Sequence, residues 1–286
     1  MMASSRFSNQ LNLSGRRRRF AVSILVSALE EIKSSRAYPK KHEVLKTFKK
    51  QGGEAGCRFD NRPQMRIVGI CGSPRKKLSR TGHLVREVLA GAQSLGADID
   101  YFDLATLKIG YCNGCGRCHQ LGECAQKNDF NSIFEKMMAA DGLVLGSPVY
   151  ISHVTGLLKN WIDHLANTIH CQRLLGKYGA VVSTTGGSGL KETADYLEWL
   201  LRHTGAQTVG RVVCRLGDGP IPEDAEPLRE AKSLGIALAH AIEEGAEFPE
   251  QLKEHEEQRR YFREVIMNRQ DQWDWEYRYW KEKGWA

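Results

Sequence analysis

Ile67-Val68-Gly69-Ile70-Cys71-Gly72-Ser73-Pro74-Arg75 decides the fold: an apolar run breaks into a small-residue, basic turn. A run without a polar face, followed at once by glycine, serine and proline, reads as a buried strand leading into a loop. Downstream the pattern repeats. Strands predicted over 66–71, 98–102, 142–147, 178–183 and 206–213 alternate with helices predicted over 80–94, 129–140, 155–169, 190–203 and 224–242. Because the strands show no persistent polar face, the sheet must be parallel and covered on both sides, and right-handed crossovers make it open and doubly wound. The expected class is α/β with five parallel strands, whose ligands lie outside the carboxyl ends of the strands.

The chain of 286 residues divides into three expected regions: 1–63, a basic helical extension and linker; 64–248, the α/β domain; and 249–286, a charged, Trp-rich helical tail. Net charge is +7, yet residues 1–63 hold 14 Lys and Arg against 5 Asp and Glu, so the surplus belongs to the extension. The core therefore shows no nucleic-acid footprint. In the extension, Phe20, Ile24, Leu25, Ala28, Leu29 and Ile32 recur at helical spacing, a second short helix is expected over 41–50, and glycines mark 51–63 as a linker. The longest apolar run, Phe20 to Leu29, is too short to span a bilayer, and no small-residue cleavage site follows it. In the tail, Trp273, Tyr277 and Trp280 form a stripe at steps of four and three, with Trp275 and Trp285 off it. Such a stripe must pack on another subunit or back on the core.

Gly72-Ser73-Pro74-Arg75 leads into Ser79, Arg80 and Thr81 at the start of a predicted helix. This turn offers backbone N–H groups, three hydroxyls, a helix N-terminus and the Arg75 guanidinium to a phosphate. No carboxylate falls between Gly72 and Arg86. The spacing matches neither the dinucleotide fingerprint nor the triphosphate loop, so a monophosphate is expected. Two further loops, Pro148-Val149-Tyr150-Ile151 and Thr184-Thr185-Gly186-Gly187, follow the third and fourth strands at the same sheet edge and are placed to flank a flat, partly apolar ring.

Between the second strand and the next helix, Cys112, Cys115, Cys118 and Cys124 crowd into thirteen residues with Gly114, Gly116 and Gly122 among them. Glycines let a chain turn sharply enough to aim several sulfurs at one centre. The Cys-x2-Cys-x2-Cys run has the spacing of iron-binding thiolates, and with Cys124 after five residues a single four-iron, four-sulfur cluster is expected on all four. Zinc and free redox-active thiols stand as alternatives. Cys57, Cys71, Cys171 and Cys214 lack partner spacing, and His119 is expected to be a solvent-facing loop histidine.

On these motifs, together with Gly146-Ser147 and Leu158-Lys159-Asn160-Trp161-Ile162-Asp163, residues 65–242 resemble the flavodoxin-like NADPH-dependent FMN reductase superfamily and its iron–sulfur flavoprotein branch. The resemblance implies FMN, its phosphate on the first loop with Ser73, Arg75, Ser79, Arg80 and Thr81, and its isoalloxazine bordered by Pro148 to Ile151 and Thr184 to Gly187. Arg80 departs from the family pattern, which commonly has Asn there.

The expected function is a flavin-dependent oxidoreductase containing FMN and a [4Fe-4S] cluster, passing electrons between a one-electron donor such as ferredoxin and a small-molecule acceptor. Alternatives are a cluster-free NAD(P)H-dependent FMN or quinone reductase, and a non-enzymatic electron carrier or redox sensor. Tyr150, His153 and His119 are proton-donor candidates by position only. Cysteine usage fits a reducing compartment, hence a cytoplasmic protein without a membrane span, and the long terminal additions suggest a homodimer or homotetramer.

Overall fold

Five strands, β1 (Arg66–Cys71), β2 (Asp98–Asp103), β3 (Gly142–Pro148), β4 (Tyr178–Thr185) and β5 (Gln207–Arg215), lie parallel in the order β2-β1-β3-β4-β5. This is the expected flavodoxin-like sheet. The computed structural model describes residues 64–286 apart from Asp218; the helices expected over 19–36 and 41–50 and the linker 51–63 lie outside the described residues.

Strand residues divide alternately between two apolar layers, which is why the central strands read as continuous hydrophobic runs. Val68, Ile70, Leu143, Leu145 and Val181 face one layer, packed by Phe130, Ile133 and Met137 of α3 (Phe130–Ala139) and by Leu197 and Leu201 of α6 (Leu190–His203). Ile67, Val144, Ala180 and Val182 face the other. That side is closed by α1 (Arg80–Gln93) and α7 (Glu226–Glu244) through Val85, Val88, Leu234 and Leu238. Each such buried Val, Leu, Ile, Met or Phe side chain contributes about 1.5–3 kcal/mol. Between these elements, α2 (Arg117–Leu121) interrupts the Cys-bearing loop.

The helix expected over 155–169 is two helices, α4 (Gly156–Ile162) and α5 (Ala166–His170). At the break, His164 N–H and Leu165 N–H bond three residues back, to Trp161 and Ile162 carbonyls, instead of four. This tightening turns the buried His164 ring inward, where Nε2 lies 2.8 Å from the Gly110 carbonyl. Tertiary pairing thus overrides a helical pattern that Leu165 and Ile169 would have continued.

The tail is likewise two helices, α8 (Pro249–Met267) and α9 (Asp274–Glu282), and both pack on their own chain. Gln251 of α8 accepts from the Thr208 backbone N–H at 2.7 Å and donates to the Thr208 carbonyl at 2.9 Å, so its amide pairs the outer edge of β5 as a strand would. Trp280 and Ile266 bury against Cys171, and Trp275, off the expected stripe, packs as well, its ring over Gly122. No described helix is long and apolar enough to cross a membrane.

Where α1 crosses α7, a Cβ on Gly235 would overlap the Val88 carbonyl and one on Gly91 would overlap the Lys232 carbonyl. Backbone cannot yield as a side chain can. Gly235→Ala is expected to destabilise the domain by about 2–3 kcal/mol, lowering the thermal midpoint by about 5–10 °C in circular dichroism melts; an unchanged midpoint would refute this close approach.

Candidate functional site

Strand order reverses between β1 and β3, and the loops leaving β1, β3 and β4 meet at that crevice. Gly72 sits at its floor: its N–H donates to the Gly146 carbonyl at 2.8 Å, and its carbonyl accepts from the Thr155 hydroxyl at 2.5 Å. A Cβ there would overlap Leu158 of α4. Above this floor lies a cleft of about 100 Å³ lined by Ser73, Arg75, Arg80, Thr81, Pro148, Val149, Tyr150, Thr184, Thr185, Gly186 and Leu216. No carboxylate lines it. The hydroxyls of Thr81 and Thr184 are 2.7 Å apart and tie α1 to the carboxyl end of β4. Arg80 Nη1 is buried with no hydrogen-bond partner among the described residues. Behind the turn, Arg75, Lys77, Arg80, His83 and Arg86 line an adjoining basic groove.

Three expected residues fall outside this cleft. Ser79 caps α1, its hydroxyl accepting from Gly82 N–H at 2.8 Å, and so works within the helix. Gly187 N–H donates to Thr185 Oγ1 and shapes the loop. Ile151 is fully exposed: the reciprocal Tyr150–His153 backbone bonds close a turn with Ile151 at φ 48° and Ser152 at φ 59°, which throws the isoleucine outward. Positive φ is unusual for a β-branched residue and marks local strain. Leu216, which the sequence reading did not single out, enters the cleft because β5 ends at the same edge.

The four loop cysteines form no disulfide and line one cavity of about 100 Å³ together with His119, Asp163 and His164. Gly114 and Gly116, at φ 65° and 71°, supply the sharp turns between them. The core grips the loop at several points. Asn160 Nδ2 donates to the Ile109 carbonyl at 2.9 Å, and Asn167 Nδ2 to the Cys118 carbonyl at 3.3 Å. Arg173, held between the rings of Phe134 and Trp275, donates to the Gly122 carbonyl. His164 Nδ1 stands 3.4 Å from Cys124 Sγ. Burial pushes the Cys124 thiol up, and the neighbouring cysteines push it the same way. Four sulfurs gathered in this manner favour a shared cationic centre.

His119 is not the solvent-facing residue expected. Its side chain is 12% exposed, and Nδ1 lies 2.6 Å from Glu276 Oε1, on a tail carboxylate with no exposed side-chain surface. His170 Nδ1 approaches the other oxygen at 3.2 Å, and Trp273 stacks on both imidazoles. Burial alone would raise the Glu276 carboxyl, but hydrogen bonds from His119 and His170 hold it below the usual range. For His119 burial acts to lower the pKa, while bonding to Cys118 and Glu276 carries it to about 9. Contact between His119 and Glu276 spans 157 positions, which no local pattern signals.

Residues 65–218 match the family described as NADPH-dependent FMN reductase. An iron-sulfur flavoprotein of Archaeoglobus fulgidus is 33% identical over 223 residues, 77% of this chain and 99% of that protein. An iron-sulfur flavoprotein of Clostridioides difficile is 31% identical over 63% of this chain and 80% of its own length. Among solved structures, a flavone reductase at 22% identity superposes with a TM-score of 0.52 over 63% of each chain, a likeness of fold. With this match over more than half its length, and the crevice between β1 and β3 built as described, the chain belongs to the NADPH-dependent FMN reductase family and is a flavin-dependent oxidoreductase.

Proposed function

We propose that the cleft binds FMN and the four loop cysteines bind a [4Fe-4S] cluster, in an enzyme that passes electrons from a one-electron donor such as ferredoxin to a small acceptor. The observation that carries this reading is the convergence of four cysteines outside any disulfide on one cavity, braced by the helix that also closes the crevice. Thr155, at the N-terminus of α4, bonds the Gly72 carbonyl, and Asn160 and His164 toward its other end bond the Cys-loop carbonyls. Seven helical residues span about 10 Å. FMN exchanges one or two electrons and an iron–sulfur cluster one at a time, so the pair links one-electron donors to two-electron acceptors.

The chain's own groups fit both. The buried, unpartnered Arg80 Nη1 suits a phosphate oxygen, Ser73 adds a hydroxyl, and the adjoining basic groove adds field without a competing carboxylate. Tyr150 and Val149 offer an apolar border for the ring. Cys112, Cys115, Cys118 and Cys124 supply a complete thiolate set. The outward Ile151 on a strained turn beside the cleft supports an assembly in which a second copy covers that rim.

The family match also favours a second reading, a cluster-free reductase drawing hydride from NADPH. Anaerobic reconstitution separates the two. The first reading expects about four iron and four sulfide per chain and a paramagnetic signal on reduction, both lost in Cys118→Ser; zinc in the thiol site, or rapid flavin bleaching by NADPH without iron, favours the second. Independently, Arg80→Ala is expected to weaken FMN binding about 10- to 100-fold, measured by flavin fluorescence titration, and unchanged affinity would remove Arg80 from the phosphate site.

A further inference from the structure

The tail helix α9 grips the Cys loop at two points, at the middle of α2 and just past its C-terminal end. At the first, Glu276 holds His119, the residue next to Cys118. At the second, the Trp275 ring occupies the space a side chain at position 122 would take, and Arg173 stacks on that ring while donating to the Gly122 carbonyl. Trp273 lies flat on His119 at 4.2 Å and screens the imidazole from water. Glu276, His119 and His170 bring ligand atoms within 4.8 Å of one another. Each carboxylate oxygen nonetheless already has an imidazole nitrogen as partner, so a cation there would have to displace both bonds.

An imidazole fixed at Nδ1 by a buried carboxylate has its ring plane decided, and with it the bond it makes elsewhere. Elsewhere, for His119, is the thiol cavity, which its side chain lines together with the adjacent Cys118 and the other three cysteines. Carboxylate–histidine pairs of this kind tune metal sites when the histidine is itself a ligand. Here the histidine is no ligand of the four-thiol set but stands at the wall of its cavity, and hydrogen bonds to cluster sulfurs help set reduction potential.

We propose that Glu276 is a positioning residue for the thiolate site, holding the His119 imidazole at the wall of the thiol cavity beside Cys118 and so setting the reduction potential and iron retention of the bound cluster. The proposal rests on the cluster reading given above. It assigns the C-terminal helix a share in the redox centre, because the carboxylate enters from 157 residues away.

The test uses the full chain reconstituted anaerobically, with paramagnetic resonance followed through a redox titration and iron release followed with a ferrous chelator. His119→Leu removes a donor that stabilises the more negative reduced cluster, so its midpoint falls below that of the parent and iron leaves about tenfold faster. Glu276→Gln shifts the midpoint in the parent and does not shift it in the His119→Leu background. A carboxylate acting through space by its charge would shift both, which overturns the proposal. So does an unchanged midpoint in His119→Leu, or faster iron release without any change of midpoint, the mark of a merely structural role. If Glu276→Gln does not fold, Glu276→Asp takes its place in the cycle and the same outcomes decide. A parent that takes up flavin but no iron and sulfide overturns the cluster reading and this one together, whereas a clustered parent with unmoved variants overturns this one alone.

Discussion

The bond from the Thr155 hydroxyl to the Gly72 carbonyl, 2.5 Å and buried, is the constraint on which the site depends. It is possible only because Gly72 has no side chain: the Leu158 Cβ sits where one would be. With α4 seated so closely on the end of β1, the crevice between β1 and β3 has a fixed floor. The far end of the same helix then reaches the Cys loop through Asn160, and the break after it through His164. One close approach of backbone to helix therefore sets the geometry of two sites that lie forty residues apart in sequence.

The central strands were legible because a parallel strand buried on both faces leaves an unbroken apolar run, and 66–71 is read to the residue. Helix α6 was legible for the complementary reason, an apolar stripe at helical spacing between glycine and threonine. The break between α4 and α5 was not, since Leu165 and Ile169 keep the helical period and only the pull of Gly110 and Cys124 on His164 interrupts it. Trp275 was set aside for lying off a periodic stripe. Its ring is used against Gly122 and Arg173, two groups that a pattern along one helix does not reveal.

At the cleft, the loop residues were legible as types and less so as roles. Ser73, Arg75, Thr81, Tyr150 and Thr185 line it together, because loops at the carboxyl ends of adjacent parallel strands have nowhere else to go. Ser79 belongs to the helix cap and Ile151 to solvent, outcomes set by backbone dihedrals that a sequence does not display. Arg80 matters most in this respect. As a departure from the family pattern it left the phosphate contacts open, and in the fold its Nη1 is buried beside the crevice with no hydrogen-bond partner among the described residues.

Gln251 has a wider meaning than its two bonds to Thr208. An outermost strand is an open template on which a second sheet can grow, and proteins guard it with charge or cover. Here the guard is an amide that mimics one more rung, flanked by Arg211 with its ion pairs to Asp195 and Glu198. Because that amide comes from α8, the segment that leads on to Glu276, shielding of the sheet's margin and access to the thiol-rich loop are bound to the same stretch of chain. Loosening the tail would at once release the buried carboxylate that holds His119 beside Cys118 and bare a β margin to neighbours, joining disorder of the sulfur loop to aggregation in a single event.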